Sequence, residues 1–303
     1  MTEAVRKSFR PNKMLSYTQT PVQEIYDPIF DKAGVRVLVK REDLNHPYVS
    51  GNKWWKLKYN LEEAKKLGHK TLLTFGGAYS NHIFATAAAA QELGFESIGV
   101  IRGEKTLPLN PTLSFAKSCG MKLTYITREK YRQKTNPAFV EELHKMFGDF
   151  FLIPEGGTNA LAIKGVEEFA QTLGDGFDYL CCAVGTGGTL AGLIKGTPAS
   201  KTILGFSVLK GGGFLQDEVE KMLGAKAENW CLQTDYHFGG YGKTTETLNK
   251  FIKDQSTKNN LPLDRVYTGK LLAGIYDLIR LGYFKKGATM LVVHSGGLQI
   301  NQS

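Results

Sequence analysis

The stretch Tyr48–Leu57, YVSGNKWWKL, is the part of the sequence around which the rest of the chain can be ordered. It places Lys53 directly after Gly51-Asn52, at the head of a helix-like run that Gly68 ends. A lysine in this position is usually a solvated surface residue, and the helix dipole mildly disfavours its charge. The same field lowers the pKa of an amine, which suits a lysine that bonds covalently to a carbonyl carbon. The role of Lys53 therefore has to be judged from other stretches of the chain.

The composition predicts a globular protein with an evenly spread positive charge. The chain has 303 residues, 42% hydrophobic and 22% charged, with a formal net charge of +9. A solvated basic surface explains this charge, and an anionic ligand is compatible with it. We expect no nucleic-acid partner, since no such module is recognisable, and no membrane span, since the apolar runs are strand-sized. The segment MTEAVRKSFRPNK has no apolar core for a signal peptide, and the four cysteines match no metal or disulfide pattern. These features favour a cytoplasmic location.

Short apolar runs alternate with helical segments along the chain. We predict strands at 35–39, 71–75, 97–101, 122–126, 150–153, 179–184, 202–209 and 290–293. We predict helices at 54–67, 83–93, 111–118, 137–147, 160–173, 190–195, 245–253 and 271–281. Continuous apolar strands separated by helices are typical of an α/β fold with parallel sheets covered on both faces. Glycine loops at 76–78, 156–157 and 185–188 follow predicted strands, so we expect them to converge on one crevice.

The loop GTGGT, Gly185–Thr189, lies between an apolar strand and a helix. Its glycines allow close approach of a phosphate, and the helix N-terminus offers N–H groups and a positive dipole end. The loop lacks the Gly-Lys-Ser/Thr ending of a nucleotide P-loop, and Leu190 takes the third-glycine position of a dinucleotide motif. A phosphate cup is the favoured interpretation, and a plain strand-to-helix turn is the alternative.

Two further loops carry side chains with both a structural and a functional interpretation. In GGAYSNH, residues 76–82, Asn81 can cap the next helix, or it can bind an oxygen of a cofactor ring while Ser80 helps to hold a substrate carboxylate. In EGGTN, residues 155–159, Asn159 is likewise a possible cap. Together with Lys53 and the phosphate cup, these loops supply the parts that a lysine-bound pyridoxal phosphate (PLP) needs.

The ordered set of motifs resembles a known family. SGNKWWKL, GGAYSNH, EGGTN, GTGGTLAG, GGYG, VYTGK and HSGG follow one another over nearly the whole chain. In this they are similar to the D-cysteine desulfhydrase and 1-aminocyclopropane-1-carboxylate (ACC) deaminase family of PLP enzymes. The resemblance implies the two-domain α/β architecture of fold type II, the tryptophan synthase β-like fold. It implies a small domain at 54–155 inserted into a large PLP-binding domain formed by 1–53 and 156–303, and a homodimer.

The resemblance also implies roles for individual residues, while the cysteine spacing predicts no metal site. Lys53 matches the lysine that forms a Schiff base with PLP. The matching positions are Asn81 for the phenolic oxygen of PLP, Ser80 for the substrate carboxylate and acid–base work, Gly185, Thr186, Gly187, Gly188 and Thr189 for the phosphate, Tyr241 and Tyr267 as active-site tyrosines, and Thr268 for the pyridine nitrogen.

Thr268 separates the two branches of this family. ACC deaminases usually have glutamate there, which keeps the pyridine nitrogen protonated and strengthens the ring as an electron sink. Opening a cyclopropane needs that sink because there is no α-proton to remove. A neutral threonine suffices for removal of an α-proton and loss of a β-thiol. The sequence therefore predicts β-elimination, with D-cysteine giving pyruvate, ammonia and sulfide.

Other activities remain open from the sequence. Trp54-Trp55 stands where the family usually has a variable residue followed by arginine, which leaves the substrate uncertain. ACC deamination, or β-elimination or replacement on an L-amino acid, uses the same cofactor. A protein that binds PLP or another phosphate ligand without turnover belongs to a different class. A nucleotide-binding protein is disfavoured because the loop has no P-loop lysine and no ribose-binding acid.

Overall fold

The computed structural model describes residues 14–299, so the segment in which we predict no signal peptide lies outside the described residues. The strands of the described part are β1 (Val22–Ile25), β2 (Arg36–Lys40), β3 (Thr71–Gly76), β4 (Glu96–Arg102), β5 (Lys122–Ile126), β6 (Phe151–Ile153), β7 (Tyr179–Val184), β8 (Thr202–Ser207), β9 (Trp230–Gln233) and β10 (Thr289–Val293). The α-helices are α1 (Pro28–Ala33), α2 (Asn52–Lys66), α3 (Asn81–Leu93), α4 (Pro111–Ser118), α5 (Arg128–Arg132), α6 (Pro137–Phe147), α7 (Ala160–Gln171), α8 (Gly188–Gly196), α9 (Leu215–Leu223), α10 (Glu246–Asn259) and α11 (Thr268–Arg280).

The first of two compact units contains residues 14–17 and Asn60–Gly157. Its sheet has the strand order β5-β4-β3-β6, and every pairing is parallel. Separate apolar clusters pack in this unit, one around Phe75 and Phe139 and another around Ile83 and Leu113. Both hold α-helical residues against strand residues, as expected for a parallel sheet with helices on its two faces.

The second unit contains Thr18–Tyr59 and residues 158–299. Its six-stranded sheet has the order β1-β2-β10-β7-β8-β9. Only the β1–β2 pairing in this sheet is antiparallel. A large apolar cluster joins β10, β7 and β8 to α11 through residues such as Met290, Phe206 and Ile275. The predicted α/β class with largely parallel sheets is confirmed, whereas the domain limits drawn at 54 and 155 stay a prediction.

Several helices begin earlier than the sequence pattern indicates, and this affects the functional residues. The helices α2, α3, α8 and α11 start two or three residues before their predicted first residues. Lys53, Asn81, Gly188 and Thr268 therefore lie in first helical turns, where backbone N–H groups have no partner within the helix. Each of these residues thus lies where a helix end can bind a ligand.

No helix within residues 14–299 is long and apolar enough to cross a membrane. The same residues contain no group of three or more histidine, cysteine or acidic side chains placed to hold a metal ion.

Candidate functional site

The backbone in front of Lys53 is held tightly. Gly51 has a φ of +69°, and a Cβ placed on it would lie 1.9 Å from the carbonyl oxygen of Ser295, so only glycine fits there. Asn45 clamps Gly51 by accepting from its N–H at 2.9 Å and donating to its carbonyl at 3.0 Å. The predicted SGNK and HSGG motifs thus contact each other in the second unit. They fix the start of α2, where Lys53 is the second residue.

Burial changes the chemistry of the Lys53 amine. The side chain is half-buried, and desolvation lowers its pKa to about 8. A lysine with this pKa has a substantial neutral fraction near neutral pH, and the neutral amine is the form that attacks a carbonyl carbon. This agrees with the direction that the helix start predicts.

The buried Glu42 holds the start of α2 through hydrogen bonds, one of which comes from Trp55. The Glu42 carboxylate accepts hydrogen bonds from Trp55 Nε1 at 2.7 Å, from Asn45 Nδ2 at 2.9 Å and from the hydroxyl of Thr20. The Trp55 ring is also tilted against Phe169, with centroids 5.3 Å apart. The indole N–H of Trp55 therefore bonds to the buried carboxylate, and the tryptophan holds α2 against Glu42.

The loop Gly185–Thr189 forms a cradle at the start of α8. Gly187 adopts a left-handed conformation with a φ of +82°, and no side chain caps the helix there. The Thr186 hydroxyl shares a 2.6 Å hydrogen bond with the Thr158 hydroxyl. Thr189 accepts from Asn52 Nδ2 at 2.8 Å. Uncapped N–H groups together with hydroxyls are what a phosphate binds at a helix N-terminus.

Lys56 adds a cation to this cradle and was not predicted from the sequence. Its side chain is 1% exposed, and Nζ donates to Thr158 Oγ1 at 2.8 Å. A Cβ placed on Gly188 would lie 3.2 Å from the same Nζ, so the amine nitrogen faces the glycine backbone directly. Desolvation, and then the charge of Lys53, lower the pKa of Lys56. Its position three residues after Lys53 was the available signal, because such residues share a helix face.

The arrangement fits the phosphate group of PLP. There is no room for a Cβ on Gly188 next to Lys56, because that atom would lie 2.9 Å from Thr158 Oγ1 in addition to its close approach to Lys56 Nζ. A dianion in this cradle would receive N–H groups from α8 and the charge of a buried ammonium.

The structure brings the two predicted tyrosines together in the second unit. The rings of Tyr241 and Tyr267 lie edge to face, with centroids 6.1 Å apart. A Cβ placed on Gly185 would lie 3.2 Å from the Tyr267 ring, so this tyrosine covers the first glycine of the loop Gly185–Thr189. The buried Lys270 donates to the carbonyls of His237 at 2.8 Å and Gly240 at 2.7 Å, and so holds the loop that leads into Tyr241.

Thr268 is buried at the start of α11 and is bonded to a carboxylate that the sequence analysis missed. Its Oγ1 lies 2.6 Å from Asp264 Oδ2, and its N–H donates to the same oxygen at 2.9 Å. Thr268 also lines a small cavity with Val293 and His294, at the carboxyl end of β10. Asp264 is not the N-cap of α11, which is Tyr267, but it accepts from the N–H two residues further on, that of Val266, at 2.8 Å. Such a local turn is common for aspartate, so the residue type was the only available signal.

The predicted residues Ser80 and Asn81 belong to the first unit. Ser80 is the N-cap of α3, with its Oγ accepting from the N–H of Ile83 at 3.3 Å, so the structural interpretation of Asn81 as the cap is wrong. Asn81 is instead the first helical residue and is half-buried. Asn110 steadies the loop by donating to the carbonyl of Ala78 at 3.0 Å. The capping role suggested for Asn159 is confirmed, since its side chain accepts from Ala162 N at 2.9 Å.

The three glycine loops lie in different units. The loops at 76–78 and 155–157 follow β3 and β6, which are neighbouring strands of the first sheet, whereas Gly185–Thr189 follows β7 in the second sheet. Their convergence on one crevice stays a prediction, and so do the catalytic roles of Ser80 and Asn81.

Comparisons with known proteins show the family to which the chain belongs. The model of the family described as "Pyridoxal-phosphate dependent enzyme" matches residues 13–296. A protein of Pyrococcus abyssi named "Putative 1-aminocyclopropane-1-carboxylate deaminase" is 34% identical over 92% of this chain and 89% of its own length. A D-cysteine desulfhydrase of Klebsiella pneumoniae is 29% identical over 95% and 94%. A solved structure of an ACC deaminase homologue superposes with a TM-score of 0.78 at 31% identity, covering 95% of this chain and 93% of that one.

A buried lysine and an uncapped helix at a glycine loop, beside a second lysine of lowered pKa, are features that suit a phosphate-bearing carbonyl cofactor. The chain belongs to the family of PLP-dependent enzymes, and its similarity is to the members named for ACC deaminase and D-cysteine desulfhydrase activity. The predicted family, fold type II and cofactor are confirmed.

Proposed function

We propose that this chain is a lyase that catalyses β-elimination on a small amino acid, with D-cysteine as the best-supported substrate. D-Cysteine and water would give pyruvate, ammonia and hydrogen sulfide. The observation that carries the proposal is Thr268, whose neutral hydroxyl occupies the position at which the family's ring-opening branch has a carboxylate. The named desulfhydrase of Klebsiella pneumoniae, 29% identical, supports the same class of reaction.

The residues of the second unit would hold the cofactor and move protons. PLP supplies the electron sink for charge that develops at the α-carbon. Lys56 and the N–H groups of Gly185–Thr189 would hold its phosphate. Lys53, with its pKa lowered to about 8, would accept the α-proton. Tyr241 and Tyr267 would orient the leaving sulfur or give it a proton, because their rings already contact each other beside Gly185.

The roles proposed for the first unit are substrate roles. Ser80 caps α3, so its hydroxyl and the first N–H groups of that helix lie together. A substrate carboxylate is the kind of anion that such a helix start binds. We propose that Ser80 and these N–H groups hold the carboxylate, that Asn81 binds the phenolic oxygen of PLP, and that Ser80 is an alternative acid or base.

ACC deamination is the second candidate. The name of the Pyrococcus abyssi relative supports it, and so does Asp264, which places a carboxylate directly behind Thr268. Our proposal further includes a homodimer and a cytoplasmic location. The free state of Cys119, Cys181, Cys182 and Cys231 is compatible with that location.

The test compares substrates on purified protein loaded with PLP. A visible absorption band that borohydride bleaches in wild type, and that is missing in Lys53→Ala, would support the lysine–cofactor bond. Lys58→Ala is the matched control, because Lys58 lies on the same helix but pairs with Glu168 at 2.7 Å. D-Cysteine, L-cysteine and ACC are then added separately, and pyruvate, 2-oxobutanoate and sulfide are measured.

The outcomes separate the candidates. Pyruvate and sulfide from D-cysteine would support the proposal. A 2-oxo acid from ACC alone would replace it by the second candidate. A loaded protein that turns over none of these amino acids would favour a PLP-binding protein without turnover, and full activity in Lys53→Ala would remove the assigned role of that lysine.

A further inference from the structure

The atoms around the Thr268 hydroxyl determine the direction of its proton. Oγ1 lies 2.9 Å from the backbone nitrogen of Asp264 and 2.6 Å from Oδ2 of the same residue. The backbone N–H can only donate, so Oγ1 accepts at that contact. The carboxylate oxygen accepts, so the single hydroxyl proton goes to Oδ2. Thr268 keeps one lone pair and has no proton left for another partner.

Asp264 cannot easily change this arrangement because all of its acceptor positions are used. Oδ1 accepts from the N–H groups of Val266 at 2.8 Å and Tyr267 at 2.7 Å. Oδ2 accepts from the N–H and the hydroxyl of Thr268. The side chain is fully buried, and four donors point at its two oxygens. An ionised carboxylate satisfies this set, whereas a protonated carboxyl would place an additional donor among donors.

We infer that Asp264 is a positioning residue that makes Thr268 a hydrogen-bond acceptor toward the pyridine nitrogen of PLP, so that this nitrogen is held in its protonated form. The inference rests on the proposed function, which places Thr268 at that nitrogen. An acceptor hydroxyl can bond to the nitrogen only through a proton that the nitrogen carries. The hydrogen bond to the carboxylate also polarises Oγ1 and strengthens it as an acceptor.

The consequence concerns the electron sink. A threonine considered alone leaves the ring less electron-poor, and such a ring is sufficient for β-elimination. With Asp264 behind it, the neutral hydroxyl transmits the effect of a carboxylate to the ring nitrogen. A protonated ring serves removal of an α-proton, and it also serves substrates that need a stronger sink. The pair Thr268–Asp264 would therefore widen the substrates that this site can process.

The test uses PLP labelled with 15N in its ring and measures the NMR shift of that nitrogen in the loaded protein, without substrate. We expect the shift of a protonated pyridine nitrogen in wild type. In Asp264→Asn, Oδ1 still accepts from the two backbone N–H groups, but an NH2 group replaces Oδ2 and donates to Thr268. The hydroxyl proton then turns toward the ring, and the shift should move to the unprotonated range.

Further variants separate this role from a folding role. Thr268→Val keeps the three backbone N–H groups that donate to the Asp264 carboxylate and removes the hydroxyl acceptor, so its shift should also be that of an unprotonated nitrogen. Thr268→Ser keeps the hydroxyl and should preserve the wild-type shift. Asp277→Asn is the control for loss of a charge on α11, since Asp277 accepts from Tyr236 at 3.0 Å instead.

The 15N shifts of the wild type and the variants distinguish failure of this inference from failure of the proposed function. An unprotonated nitrogen in the loaded wild type would overturn the inference and leave the proposed function intact. A protonated nitrogen that persists in both Asp264→Asn and Thr268→Val would overturn it as well. A protein that takes up no PLP would overturn the inference together with the proposed function.

Discussion

Replacing Lys56 by methionine should weaken PLP binding without destabilising the protein that lacks PLP. Methionine has nearly the length of lysine and no charge, so it fills the same buried space. Lys56 Nζ donates to Thr158 and faces Gly188, where the phosphate cradle forms. A hydrogen bond to a charged group contributes about 1.5 to 3 kcal/mol, so PLP should bind about 10- to 150-fold more weakly.

The stability of the cofactor-free protein should change in the opposite direction. Burial lowers the pKa of Lys56, which means that the folded state disfavours the ammonium relative to the unfolded chain. Between the lowered pKa and about 10.5 the unfolded chain binds the extra proton, so wild-type stability rises with pH in that window. Lys56→Met lacks this term. Its melting temperature should therefore equal or exceed that of wild type at neutral pH, and the difference should shrink as the pH is raised.

The assay is a titration of the cofactor-free protein with PLP, and in parallel with pyridoxal, which lacks the phosphate. Lys58→Met is the matched control, because Lys58 lies two residues further along α2 and pairs with Glu168. It should change PLP affinity by no more than about twofold. Equal PLP affinity in wild type and Lys56→Met would refute the reasoning. An equal loss of pyridoxal affinity would also refute it, since the defect would then not involve the phosphate.

Three further predictions concern single side chains. The rate at which the cofactor-free protein takes up PLP should rise with pH around a midpoint of about 8, because desolvation lowers the pKa of Lys53 to that value. At pH 7 the neutral amine is then about 300-fold more abundant than it would be with a pKa of 10.5. Stopped-flow measurements of PLP uptake check this, and a midpoint above about 10 would contradict it. Gly188→Ala should weaken PLP binding, because its methyl group would lie 2.8 Å from a threonine side chain, whereas Gly213→Ala, whose methyl group meets nothing within 4 Å, should bind PLP normally. Lys270→Met should lower kcat far more than PLP affinity and should lower the free energy of unfolding by about 1.5 to 3 kcal/mol, because two carbonyls of the Tyr241 loop lose their charged donor. Steady-state kinetics and thermal unfolding check these two effects. An unchanged kcat would show that the loop does not need the lysine.

The sequence predicted the long, apolar elements and missed those with weak patterns. The buried strands β3, β4 and β7 read as continuous apolar runs, and their limits agree with the prediction within one residue. The unpredicted strands β1 and β9 have four residues each and form the two edges of the second sheet. Edge strands bury less surface and need a less apolar pattern. The unpredicted helices α1 and α5 are only six and five residues long, too short to show a helical period. The nine-residue helix α9 was also missed, although its buried residues Leu215, Val219 and Leu223 recur at helical spacing.

Candidate site residues could be predicted where the local sequence marks them, and they were missed where only the packing reveals them. Glycine loops followed by helix starts can be recognised from the sequence alone, which is why Lys53 and Gly185–Thr189 could be predicted as candidates. Lys56 resembles any helix lysine until burial and its hydrogen bond to Thr158 are known. Asp264 likewise precedes VYTGK in the sequence, but its four hydrogen bonds depend on the turn that leads into α11.

The two lysines of α2 explain why cofactor binding and stability should be linked in this protein. Lys53 and Lys56 lie three residues apart on one helix, both with lowered pKa values, and the charge of Lys53 contributes to the shift of Lys56. Without an anion, like charges and desolvation both oppose the folded state at neutral pH. A phosphate in the cradle would reverse the electrostatic balance at Lys56 while leaving Lys53 free to lose its proton. The same helix turn would thereby hold a charged lysine for the phosphate and a neutral one for the carbonyl carbon.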